Sequence, residues 1–283
     1  MSGIILGNTK KAQSVAIAFM SSALTAETLI PLTVLERRAL ILHHASLIDV
    51  IHIADKDLHK AYKYAKVISS IAPAYFEYQI AQDKQNGSVL ELNIQSQLIS
   101  SQTDKFADNF IDWLKADFEN KSAIIDHYPN PKNLFELCGA KLLVTSNSAT
   151  RSLSTTMGNL WEKISNISPY IINPELEFGI KITGIDIIIF SEETVKFAQL
   201  KTLKGTLTGS QAPRAKKELT IHQNPLFIAA FNLGQWTFNA PNIPRIAGQA
   251  FWEQIHMDYN IVESHVRNML QKIDLAFTEL AAK

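Results

Sequence analysis

Cysteine is nearly absent: Cys138 is the single one in 283 residues. One thiol forms neither an intramolecular bridge nor a Cys-based zinc cluster, so a reducing, cytoplasmic setting is expected. Long hydrophobic runs are missing too. Ile185 to Phe190 and Ile228 to Phe231 fall far short of the roughly 20 apolar residues a bilayer requires, and no membrane partner is expected. The opening, Met1 to Lys11, lacks the basic, apolar, small-residue order of a secretory signal. Net charge is absent as well, with 27 basic and 27 acidic residues. That weighs against an indiscriminate nucleic-acid binder, for which a basic excess is expected, and leaves charge distribution to decide. Histidine shows no metal spacing: His43, His44, His52 and His59 lie on helical sequence and read as structural or exposed. There is no internal repeat and no low-complexity tract.

What remains is ordinary globular sequence, 46% hydrophobic and 19% charged, long enough for one large domain or for a main domain with a helical accessory. Within it, Gly184 to Gln211 stands out. Two apolar runs of strand length, divided by Ser191, Glu192 and Glu193, predict a β-hairpin. Asp186 interrupts the first run. Gln199 and Lys201 interrupt the second and, at period two, share one face of their strand. A carboxylate, an amide oxygen and an ammonium set in β-branched sequence suit a place where a divalent cation meets a phosphate. From Lys196 to Lys217 the chain carries six cations and no acid, so positive charge is expected beside this site.

The N-terminal part reads as helices: Lys10 to Leu24 capped by Thr9, an apolar Ile30 to Ile53, and Lys56 to Gln82 broken at Pro73. Val89 to Ile99 fits a strand or a helix. Thr103 is the expected cap of a helix bearing Phe106, Phe110, Leu114 and Phe118. His127 to Lys132, with two prolines, is the expected linker. Beyond it the sequence predicts a polar loop at Thr145 to Thr156, a helix starting at Met157 and, after the hairpin, a basic Gly-rich loop. A helix at Arg214 to Ile221, strands at Pro225 to Leu233 and Gln235 to Phe238, and helices around Phe251 and from Val262 to Leu280 complete the order. This sequence of elements predicts an α/β fold, a mixed central β-sheet flanked by helices. The expected domains are a mostly helical region, 1–130, and a core, 131–283.

These residues resemble the PD-(D/E)XK nuclease superfamily, specifically type II restriction endonucleases in a QxK variant. In that family a helix bearing a Glu precedes a strand ending in the metal-binding Asp, and the next strand carries (D/E)-x-K. Glu162 matches the helix acid, Asp186 the first strand, and Gln199-Leu200-Lys201 the second half-motif. Two positions depart: Gln199 replaces the usual second carboxylate, and Ile185 stands where Pro often precedes the Asp. The likeness spans roughly residues 145 to 240.

The resemblance implies a restriction-endonuclease-like core and Mg²⁺-dependent hydrolysis of double-stranded DNA at a short, palindromic site, by a homodimer whose symmetry mirrors the site. It makes Asp186, Gln199, Lys201 and Glu162 catalytic. Asp186, Gln199 and Glu162 would hold Mg²⁺, which accepts one or two carboxylates and keeps waters. Lys201 would orient the water. Lys204, Thr206, Thr208, Ser210, Gln211 and Arg214, with Arg151 and Ser152, are the expected DNA contacts. Helices 1–130 are the expected dimer surface or DNA grip. Two alternatives stay open: a catalytically silent DNA-binding protein with a degenerate nuclease fold, and a repair or structure-specific nuclease.

Overall fold

The computed structural model describes residues 24–125 and 134–282. The expected helix from Lys10 and the expected linker at His127 to Lys132 fall outside them, Leu24 excepted. In chain order the helices are α1 (Ala26–Leu29), α2 (Val34–Ser46), α3 (His59–Gln85), α4 (Leu92–Ile125), α5 (Leu134–Leu137), α6 (Lys141–Ser165), α7 (Pro174–Phe178), α8 (Gln211–Thr220), α9 (Gln249–Gln254) and α10 (Tyr259–Ala281). The strands are β1 (Ile171–Ile172), β2 (Ile187–Ser191), β3 (Thr194–Leu203), β4 (Pro225–Phe231) and β5 (Arg245–Ala247). They form one mixed sheet in the order β1-β2-β3-β4-β5, antiparallel up to β3 and parallel beyond it. The fold is mixed α/β, as the order of elements predicted.

Contacts group the chain into two units, each made of two segments: 1–90 with 165–257, and 91–164 with 258–283. The sheet belongs to the first. Its hairpin closes through Glu192 and Glu193, both at positive φ, the two-residue geometry whose twist matches the flanking strands. One sheet face presents Ile188, Phe197 and Phe227 to a core shared with Leu40, Ile68, Ile71 and Phe76 of α2 and α3, and Phe76 stacks on Phe190 with centroids 5.3 Å apart. On the other face Ile187, Ile189, Ala198 and Ile228 are buried. There α9 closes over β4, the Trp252 indole N–H donating to the Ala230 carbonyl at 2.8 Å. β3 and β4 are parallel and joined by α8, a strand–helix–strand crossover.

In the second unit α4 and α10 lie side by side. Ser96 meets His265 at 2.9 Å, Lys272 meets Asp108 at 2.6 Å and Phe118 meets Phe277 edge-on at 5.2 Å, so the two helices run in the same direction. Among the described residues no helix is long and apolar enough to cross a membrane.

Several expected elements differ. Pro73 does not break its helix. It lies on the exposed face, where a helix tolerates a missing backbone hydrogen bond best. Thr103 is no cap; it sits buried inside α4 and its hydroxyl donates back to the Ile99 carbonyl at 3.0 Å. The expected loop Thr145 to Thr156 is helix within α6. Thr145, Thr150, Ser154, Thr155 and Thr156 each return their hydroxyl to the carbonyl four residues earlier. That bond keeps a polar run helical without a loop partner. The fifth strand is Arg245–Ala247 rather than Gln235 to Phe238, a segment whose Phe238 ring stacks on Phe227 at 4.1 Å instead of pairing in the sheet.

Candidate active site

Asp186 stands immediately before β2, and because β2 runs antiparallel to β3 its start lies beside the end of β3, where Gln199 and Lys201 are. The Asp186 N–H donates to the Ala198 carbonyl at 2.9 Å. Its carboxylate Oδ2 accepts the Leu200 N–H at 2.8 Å and the Lys201 ammonium at 3.3 Å. The side chain thereby takes a ladder position that a main-chain carbonyl would otherwise fill, which fixes its rotamer. Among the described residues the other oxygen, Oδ1, has no partner. Asp186 and Lys201 are each about a quarter exposed, so the pair is reachable from water. The site sits at the carboxyl end of the parallel pair β3–β4, where open α/β sheets commonly bind ligands.

Gln199 lies two residues before Lys201 on the same face of β3. It is 8% exposed, and its Oε1 is buried without a hydrogen-bond partner. Leaving such an oxygen unpaired costs about 1–3 kcal/mol, so a ligand that met it would relieve that cost. A hard cation suits it: Mg²⁺ takes oxygen ligands and keeps several waters, so one carboxylate and one amide oxygen suffice. No group of three His, Cys, Asp or Glu side chains is placed to hold a metal among the described residues. The donor set on offer is therefore weakly charged.

Glu162 lies near the end of α6, half-buried, in the second unit, whereas Asp186, Gln199 and Lys201 belong to the first. Arg151 and Ser152 also lie on α6. Lys204, Thr206, Thr208 and Ser210 follow β3 directly, and Gln211 opens α8. The Thr206 hydroxyl closes its own turn, accepting from Leu203 N–H and donating to the Leu203 carbonyl. The Gln211 amide oxygen accepts the Thr208 N–H at 2.9 Å.

The basic stretch is largely neutralised by acids of the first unit, some one helical turn or one hairpin turn away and one from far upstream. Lys196 pairs with Glu192 at 2.9 Å, Lys201 with Asp186, Arg214 with Glu218 at 2.7 Å, and Lys217 with Asp55 at 2.6 Å. Lys204 and Lys216 remain unpaired among the described residues. No family model matches this chain, and comparison with curated proteins and with solved structures found no match.

Two residues near the site were not singled out from sequence. Glu218, buried on α8, packs on Gly184, where an added Cβ would meet the Glu218 Cβ at 2.5 Å. Gly184 has φ +81°, a turn conformation glycine adopts without strain, so the contact and the conformation together require it two residues before Asp186. The i,i+4 spacing of Arg214 and Glu218 was visible in the sequence; the burial of the acid was not. His222 is buried and stacks on Phe197 with centroids 5.6 Å apart. Burial pushes its imidazole down to about 4, the main chain of Thr183 opposing the shift.

Proposed function

We propose that this chain is a Mg²⁺-dependent endonuclease hydrolysing double-stranded DNA, a type II restriction enzyme with a PD-(D/E)XK-like core in its QxK form. One observation carries the reading: a carboxylate and an ammonium in contact at adjoining strand ends, beside a buried amide oxygen that lacks a partner. Hydrolysis forms a P–O bond to a water oxygen, breaks a P–O ester bond and leaves the water's proton on the departing oxygen. Asp186 and Gln199 would hold Mg²⁺; when bound, the ion neutralises phosphate charge and polarises water. The Lys201 ammonium, held by Asp186, orients the attacking water and stabilises charge that develops on the phosphoryl oxygens. Lys204, with the loop that follows it, stands beside this end of the sheet for phosphate contact. A palindromic site calls for a homodimer. Leu35, Leu47 and Ile51 are exposed at 66%, 71% and 90% on and just after α2, apolar side chains that a second copy would cover.

Gln199 also favours a second reading, a DNA-binding protein whose nuclease chemistry is lost, because it removes a negative charge from the donor set. Digestion of mapped phage and plasmid DNAs by wild type and by Lys201→Ala, in Mg²⁺ and in EDTA, separates the two. Discrete Mg²⁺-dependent fragments, lost in the variant, are the expected result. A smear would keep the nuclease and remove site specificity. DNA left intact at high protein concentration would overturn catalysis in favour of the silent binder. Light scattering tests the homodimer, and a monomeric mass with DNA bound would remove it.

A further inference from the structure

The second unit holds a cavity of about 420 Å³ between one face of α4 and one face of α6. Both helices contribute at helical spacing: Gln102, Phe106, Asn109 and Trp113 from α4, and Ser152, Asn159 and Lys163 from α6, with Lys105 at the rim. Its chemistry is one-sided. Among the described residues two lysines line it and no carboxylate does. Lys115 and Lys272, elsewhere in the unit, are paired with Asp112 and Asp108, whereas Lys105 and Lys163 have no partner among the described residues. Neither do the side-chain amides of Gln102, Asn109 and Asn159. The floor is aromatic, with Phe106 stacked on Phe110 at 6.2 Å and Phe110 against Trp113 at 5.2 Å.

We propose that this groove is a second nucleic-acid site that takes an unpaired nucleotide of a DNA strand. The rings offer a face on which a base stacks irrespective of its identity. The amides supply the donor–acceptor pairs that read base edges, and the two ammonium groups meet the flanking phosphates. A cavity of this volume is of single-ligand size, so it receives one extruded or single-stranded nucleotide rather than a duplex. The inference rests on the nuclease reading for its choice of DNA as ligand. It assigns a function to the helical unit that Asp186 and Lys201 do not supply.

The test uses the full chain in EDTA, so that cleavage cannot interfere, and follows the anisotropy of a fluorescein-labelled ten-nucleotide thymidine strand. Wild type is expected to bind it. Lys105→Gln combined with Lys163→Gln, two surface changes, is expected to weaken binding at least ~10-fold and to flatten its salt dependence. Trp113→Ala, accompanied by a circular-dichroism melt to verify folding, is expected to weaken it by a similar factor. Lys115→Gln, the same charge change outside the groove at a lysine paired with Asp112, should leave it unchanged. Binding unaffected by the double-lysine change, or no binding by wild type, overturns the proposal. So does equal competition by a ten-residue polyglutamate, which would show a site that reads charge alone. Intact strand binding without Mg²⁺-dependent cleavage would instead remove the nuclease reading and leave this one standing.

Discussion

At Gln199 a single amide oxygen connects stability with chemistry. Buried and unpartnered, it is a destabilising group in a protein without bound metal, so Gln199→Met, similar in volume and without a polar atom, is expected to raise the melting temperature in EDTA. The gain should correspond to about 1–3 kcal/mol. The same variant should lose any Mg²⁺-induced rise in melting temperature that wild type shows; a wild-type protein indifferent to Mg²⁺ would count against the amide as a ligand. His222 sets a pH dependence. Its imidazole is pushed down to about 4 by burial, below its ordinary value of 6.5, so the unfolded chain binds the proton more readily and stability is lost as pH falls between these values. At about 1.4 kcal/mol per pH unit for one proton, the loss reaches roughly 3 kcal/mol near pH 4. His222→Phe should flatten urea midpoints measured from pH 7 to 4.5; an unchanged slope would place the titration elsewhere.

At the scale of elements, the hairpin is the part that positions the site. Glu192 and Glu193 both sit at positive φ, a conformation that side chains larger than Asn tolerate poorly, while the Glu192–Lys196 pair they make is exposed on the acid's side and adds little. Replacing them with Asn-Gly should stabilise the protein by about 1 kcal/mol and leave cleavage unchanged, since the turn is at the opposite end of the hairpin from Asp186. Thermal melts and digestion assays check both halves of that statement. The hairpin was legible in the sequence because period two and a polar pair of turn residues act locally. Helix α6 was not. Its serines and threonines read as a loop by composition, and only the return of each hydroxyl to a carbonyl one turn back accounts for their place in a helix. Arg245–Ala247 was missed for a similar reason: three residues carry too little pattern, and pairing with β4 makes them a strand.

For the whole molecule, the division into two units, each built from two chain segments, has a direct consequence. The residues of α2 and α3 that cover the sheet lie far upstream of it, so a fragment of residues 131–283 lacks one wall of its core. It should show no cooperative melt by circular dichroism, whereas the full chain should; a sharp transition in the fragment would contradict the shared core. The sequence by itself determined the mixed α/β class, the hairpin, the period-two alignment of Gln199 with Lys201 and the absence of a disulfide framework, because composition and short-range periodicity act on neighbours. The tertiary structure alone decided that Asp186 grips Lys201, that Gln199 is buried without a partner, and that Glu218 packs on Gly184. It also turned an apparently basic stretch into one largely paired with Glu192, Asp186, Glu218 and Asp55. The Glu192–Lys196 and Arg214–Glu218 pairs are four residues apart and local. Burial, and the pairing of Lys201 with Asp186 and of Lys217 with Asp55, depend on which distant segments come together, and the local pattern of a chain does not record that.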